Sequence, residues 1–344
     1  MSERAQKFGP YKVIRGFKVP TSFEPAPDTK EAKEWFYGGM ILPFAVNYLR
    51  FQGLDMTVEG AEKIPTTGGA IIVSNHTGYF DFVYDGIPAF LNGKRLVRFM
   101  SKQEIFDNKI AGPLMRLMKH IPVDRFAGRG AYEEAVRRLK DGALVGLFPE
   151  ATISRSFELK SFKTGAVRMA NEAGVPVIPI VMFGSQRVWT KGHKKHLGRV
   201  KVPVWLRVCD PVIPTDDIAG TNDRLHAEME KQLDQLKADY LARYGTEPGA
   251  YWLPAKLGGS APTLEEANEI DAQVLEERRA KREARKAAEA EKTAKKKSRK
   301  SGLSAARKKV QSATAPLANV VKKAKKSEPA QSPQPPIKGD NADV

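Results

Sequence analysis

Between Gly68 and Asp210, short runs of β-branched and apolar residues alternate with segments of helical periodicity, and this alternation constrains the fold most. Strands are expected at Ala70–Ser74, Leu96–Met100, His120–Val123, Ala143–Phe148, Val177–Phe183 and Val202–Cys209. Helices are expected near Phe80–Leu91, Asp107–Met118, Gly130–Lys140, Thr164–Ala173 and Asn222–Tyr244. A run such as Ala70-Ile-Ile-Val73 is apolar at every position, so both faces of that strand must be covered. The pattern implies an α/β fold: a mixed, mostly parallel sheet flanked by helices, with a site built from polar residues at strand ends. Val175-Pro-Val-Ile-Pro179-Ile180 is expected at a sheet edge or in an irregular strand, because proline cannot donate to a ladder.

The rest of the chain divides by composition. There are 57 Lys+Arg against 40 Asp+Glu, a net charge of +17, and residues 265–344 carry 20 and 12 of these. From Lys292 to Lys326 there are 13 basic residues and no acidic one, with too little apolar surface to offset ordering entropy. Thr263-Leu-Glu-Glu266 has the form of a capping box and opens a solvated helix. The expected organisation is an irregular N-terminal segment (1–30), a membrane-associating helical segment (31–54), an α/β domain (55–258), a charged helix or linker (259–292) and a basic disordered tail (293–344). The charge implies an acidic partner without choosing among nucleic acid, an anionic membrane and phosphorylated substrates. The single cysteine, Cys209, excludes an internal disulfide and points to a reducing compartment.

No apolar stretch of a cleavable leader lies in the first 30 residues. Trp35 to Leu49 is the most lipophilic segment, but as a helix it is about 22 Å long against a hydrocarbon core of about 30 Å. It reads either as a helix packed on the core or as an interfacial anchor, with Trp35, Phe36, Tyr37 and Tyr48 at the headgroup level.

Three constellations at strand ends carry possible chemistry. Asn75-His76…Asp81 follows the first strand; with a turn at Gly78, His76 and Asp81 can meet as a general base and the carboxylate that orients it, or else simply cap a helix. Phe148-Pro-Glu150-Ala-Thr152-Ile-Ser-Arg155-Ser156 offers carboxylate and hydroxyl groups for a polyol and a guanidinium for a phosphate. Lys163 precedes a helix N-terminus that adds backbone donors. Lys102 and Arg125, the latter ending Ile121-Pro-Val-Asp-Arg125, make a second cationic pair. There is no G-x-S-x-G elbow, P-loop or H-E-x-x-H motif, and His193-Lys-Lys-His196 reads as a basic loop facing lipid headgroups.

In this order, these segments resemble the glycerolipid acyltransferase family, the lysophosphatidate acyltransferases. That family shows N-H-x4-D, an arginine-ended box, F-P-E-G-T-R-S and V-P-(I/V)-x-P. The chain departs from the pattern at Ala151 and Lys119, where the family has glycine, and at Ile153, where it has arginine; Arg155 is the expected substitute. The resemblance implies that His76 takes a proton from the free hydroxyl of lysophosphatidic acid, which attacks the thioester of acyl-CoA or acyl carrier protein to give phosphatidic acid. It implies that Asp81 orients His76, that Lys102, Arg125, Glu150, Thr152, Arg155 and Lys163 hold substrate, and that no metal or redox cofactor takes part. It places the protein peripherally on the cytoplasmic face of the cell membrane, the tail meeting anionic lipid or, alternatively, nucleic acid. Acylation of glycerol 3-phosphate or a glycolipid, and a non-catalytic binding role, are the competing readings.

Overall fold

The computed structural model describes residues 10–124 and 128–284, together with 286, 288, 303, 305 and 306. The chain divides into units of residues 1–269 and 270–344. In the first unit, nine strands form one sheet: β1 (Tyr11–Ile14), β2 (Phe17–Pro20), β3 (Asp55–Glu59), β4 (Ala70–Ser74), β5 (Val97–Lys102), β6 (Ile121–Val123), β7 (Leu144–Leu147), β8 (Val177–Phe183) and β9 (Pro203–Val208). Their order across the sheet is β1-β2-β3-β9-β8-β4-β7-β5-β6. From β8 to β6 every pairing is parallel, whereas β8–β9 and β1–β2 are antiparallel.

Helices cover both faces. They are α1 (Leu42–Gln52), α2 (Asp81–Leu91), α3 (Gln103–Phe106), α4 (Ala111–Leu117), α5 (Arg129–Lys140), α6 (Gly165–Ala173) and α7 (Ile218–Tyr244). The alternation of β4 shows why: Ile71 and Val73 pack with Ala135, Leu139, Val167, Leu225 and Met229 of α5, α6 and α7. Ala70 and Ile72 pack on the other side with Val46, Leu49, Tyr84, Ile87 and Leu91 of α1 and α2. Each fully buried aliphatic side chain contributes about 1.5–3 kcal/mol, so the strand is held from both layers.

The structure departs from the sequence expectations at four places. The strand containing Pro179 lies inside the sheet, between β4 and β9, so of the two expected placements the edge is not realised and the irregular strand is. Its proline is accommodated at a bulge: Cys209 N–H donates to the Pro179 carbonyl at 2.8 Å, and the register shifts by one residue between Ile180↔Val208 and the Val177↔Val212 bridge. The helix expected over 107–118 starts later, as α4, because the Asn108 side chain accepts the N–H groups of Ile110 (2.9 Å) and Ala111 (3.0 Å), and the separate turn α3 precedes it. The N-terminal stretch expected to be irregular carries the β1–β2 hairpin, turned by Arg15 and Gly16 at φ of 53° and 92°. The strand β3 was not foreseen either.

The segment at 30–41 docks through Glu31, which accepts from Arg95 Nη2 at 2.8 Å and Leu96 N–H at 2.7 Å, and through Glu34, which pairs with Arg98 at 2.5 Å. It leads into α1, where Pro43 sits in the first turn, a place that needs no N–H donor. Among the described residues no helix is long and apolar enough to cross a membrane. The capping box forms as expected: Thr263 N–H donates to Glu266 Oε2 at 2.9 Å and Glu266 N–H to Thr263 Oγ1 at 3.2 Å. In the second unit, residues 270–284 are helical and largely exposed. Of the tail expected over 293–344, only Leu303, Ala305 and Ala306 are among the described residues, in helical conformation; the remainder of that expectation lies outside them.

Candidate active site

The parallel strands β4, β7 and β5 are neighbours, so the residues that follow them collect at one edge of the sheet. That edge receives His76 after β4, Glu150 after β7 and Lys102 at the end of β5. Asn75 prolongs the β4–β8 pairing by one step: its amide donates to the Met182 carbonyl at 3.0 Å and accepts the Met182 N–H at 2.8 Å. The chain then turns tightly at Gly78. A Cβ there would lie 3.0 Å from Asp81 Oδ1, 3.1 Å from the Trp189 carbonyl and 3.2 Å from the Ser185 carbonyl, so a side chain would crowd the turn.

The turn brings Asp81, the first residue of α2, back onto His76. A single oxygen, Asp81 Oδ2, accepts His76 Nδ1 at 3.0 Å, Thr77 N–H at 2.7 Å and Gly78 N–H at 2.7 Å, and the residue is fully buried. A carboxylate oxygen only accepts, so the imidazole proton sits on Nδ1 and Nε2 keeps the lone pair that a base requires. The imidazole stacks on the Phe148 ring, with centroids 3.9 Å apart and planes 12° from parallel, and keeps 18% of its side-chain surface exposed.

The third box grips the backbone of His76 from both sides. Glu150 Oε1 accepts the His76 N–H at 2.7 Å, while the Ser154 N–H donates to the His76 carbonyl at 2.7 Å. The other oxygen of Glu150 accepts the Lys160 N–H at 3.0 Å. Burial pushes the Glu150 carboxyl up to about 8, against the two backbone N–H bonds that pull it down. Glu150, expected as a substrate ligand, is buried and braces the third box to the first, each of its oxygens accepting one backbone N–H.

The remaining candidates sit around this frame. Thr152 Oγ1 accepts from Lys191 Nζ at 2.6 Å. Ile153 is 4% exposed, facing the core where the related box has arginine. Arg155 is half-buried, its guanidinium against Gly192, where an added Cβ would stand 3.3 Å from Nη1. Lys102 is exposed at the end of β5, beside Val123 in register. Arg125 lies outside the described residues. The Lys163 side chain is exposed, and its N–H donates to the Pro149 carbonyl at 3.0 Å, so its backbone holds the third-box loop closed. The structure thus joins His76, Asp81 and Glu150 through direct contacts, with Thr152 and Arg155 on the loop that follows Glu150.

Two departures from the family pattern have a backbone consequence. Ala151 and Lys119, both at positions where glycine was expected, adopt φ of 58° and 56°, the region glycine occupies without strain. Sequence reasoning missed Phe148 as a platform for the imidazole and missed the loop at 185–191. That loop clamps the first box through Thr77 Oγ1 to Ser185 Oγ (2.9 Å), Thr190 Oγ1 to the Thr77 carbonyl (2.6 Å) and Tyr79 N–H to the Trp189 carbonyl (2.9 Å). Hydroxyl residues are too common in loops for these partners to have signalled themselves. Two other groups serve the frame: Cys209 is buried, its thiol pushed up to about 12, and His120 accepts the Phe99 N–H at 3.0 Å, its imidazole held neutral by burial.

The family model described as Acyltransferase matches residues 55–183. The chain is 33% identical over 153 residues to the chloroplastic 1-acyl-sn-glycerol-3-phosphate acyltransferase of Arabidopsis thaliana, covering 43% of this chain but only 42% of that protein's length. It is 27% identical over 186 residues to the 1-acyl-sn-glycerol-3-phosphate acyltransferase of Bacillus subtilis, covering 52% of this chain and 90% of the relative. Among solved structures, the 1-acyl-sn-glycerophosphate acyltransferase PlsC of Thermotoga maritima aligns with a TM-score of 0.46 at 26% identity, over 60% of this chain and 91% of that one. Residues 55–183 therefore form an acyltransferase domain, similar in sequence to those of 1-acyl-sn-glycerol-3-phosphate acyltransferases.

Proposed function

We propose that the protein transfers an acyl group from acyl-CoA or acyl carrier protein to the free hydroxyl of 1-acyl-glycerol-3-phosphate, giving phosphatidic acid. The observation that carries this reading is the His76–Asp81 pair, buried on its Asp81 side and braced through the His76 backbone by Glu150. His76 Nε2 takes the hydroxyl proton as the oxygen attacks the thioester carbonyl. Asp81 offsets the positive charge that develops on the imidazole. Collapse of the tetrahedral intermediate breaks the carbon–sulfur bond, and the same proton passes from His76 to the departing thiolate. The acceptor supplies the nucleophile, so no serine or cysteine of the enzyme is consumed, and the buried Cys209 has no part.

The reaction takes place at a membrane surface in this reading, with the protein lying on the cytoplasmic face. Support comes from Trp35 (73% exposed), Phe44 (70%) and Phe51 (58%), on and just before α1, which present exposed aromatic surface. The purified chain, given labelled acyl-CoA and a panel of lysophosphatidic acid, glycerol 3-phosphate and a lysoglycolipid, is expected to acylate lysophosphatidic acid fastest. Preference for another acceptor would replace the substrate; no transfer to any of them would overturn the reaction.

A further inference from the structure

The third box lacks the arginine of the related pattern, and Ile153 in its place is buried, so that position offers no cation to a phosphate. The loop after β8 supplies one. Lys191 reaches Thr152 with its ammonium at 2.6 Å, and the neighbouring Thr190 fixes the same loop to the Thr77 carbonyl at 2.6 Å. A closed circuit results: His76 is bonded to Glu150 and Ser154, Thr152 between them is bonded to Lys191, and Thr190 returns to the residue after His76. Lys191 is therefore held against the third box by its own ammonium and tied to the first box through its neighbour Thr190. Arg155 lies against Gly192 on the same loop, and its charge, with burial, lowers His193.

We propose that Lys191, with the Thr152 hydroxyl and Arg155, forms a phosphate subsite that replaces the missing third-box arginine and determines preference for a phosphorylated substrate. It rests on the acyltransferase reading above for the substrate it serves. An ammonium on a hydroxyl, with a guanidinium against the next residue of the same loop, is complementary to a phosphate monoester and offers nothing comparable to a neutral glycerol. The phosphate belongs either to the acceptor or to the donor's CoA.

The test measures binding, so it stands apart from turnover. The full chain and Lys191→Met are titrated calorimetrically with 1-hexanoyl-glycerol-3-phosphate, with 1-hexanoylglycerol and with CoA; Lys191→Arg and thermal unfolding of each variant control for folding. Loss of about 10- to 100-fold in affinity for the phosphorylated acceptor, unchanged binding of the neutral one and recovery in Lys191→Arg is expected for an acceptor phosphate. The same loss confined to CoA assigns the subsite to the donor. Equal changes for phosphorylated and neutral ligands, no change at all, or no phosphate ligand bound by the unaltered chain overturns the proposal. Turnover of lysophosphatidic acid by the unaltered chain, measured in parallel, tests the reaction separately.

Discussion

Replacing Asp81 with asparagine removes one negative charge and little volume from the centre of the site. Asp81 Oδ2 accepts Thr77 N–H and Gly78 N–H at 2.7 Å each, and an amide oxygen in the same place can keep both bonds. The amide nitrogen then occupies the buried Oδ1 position, which lacks a hydrogen-bond partner already. The fold should lose only about 1–3 kcal/mol, the cost of one buried unsatisfied donor. The chemistry loses more. At a charge separation of about 4 Å and an effective dielectric near 20, the carboxylate stabilises an imidazolium by about 4 kcal/mol. The Nδ1–Oδ2 distance of 3.0 Å places the pair at or inside that separation. Asp81→Asn should therefore lower kcat by about 1,000-fold while KM for the acceptor changes little, measured by initial rates with labelled acyl-CoA. A kcat loss under tenfold in a folded variant would refute the reasoning, because the carboxylate would then not face a developing charge.

Three further outcomes follow from other parts of the molecule. Ala151→Gly, at φ 58°, should raise stability by about 0.5–1 kcal/mol despite glycine's greater unfolded-state entropy, read as a rise in Tm; a fall would mean that the Ala151 conformation carries no strain. Glu150 holds its proton up to about 8 in the folded chain and loses it near 4.5 when unfolded, so its contribution to stability is present below 4.5 and declines as pH rises to 8. Glu150→Gln should flatten that part of the denaturation profile. Burial lowers His120 to about 3, so its contribution works in the opposite sense: stability is lost as pH falls from 6.5 towards 3, and His120→Asn should make the chain less acid-sensitive in urea titrations.

What could be read from the sequence followed from how completely a segment is buried. The apolar runs of β4 and β8 are covered on both faces, so composition alone marks them. The hairpin β1–β2 escaped because Arg15-Gly16 occupies a two-residue turn that Asn-Gly more often announces, and because its strands are only four residues long. The prolines at 176 and 179 pointed to an edge or an irregular strand, and a one-residue bulge beside Pro179 suffices to place the strand inside the sheet. In the site, the pairing of His76 with Asp81 was legible as a spacing plus a glycine. The bracing by Glu150 was not, since its partners are backbone groups that carry no sequence identity. Lys191 was hidden for a related reason: it stands 39 positions from Thr152 in the chain, and only the packing of two loops brings them together.

The central claim is that the His76 imidazole is the base for acyl transfer. Turnover of labelled acyl-CoA with lysophosphatidic acid by purified His76→Ala tests it most directly, with unfolding and vesicle association measured on the same sample. The expected result is a loss of about 100- to 10,000-fold in kcat, with folding and vesicle association intact. Undiminished turnover in that folded variant would contradict it.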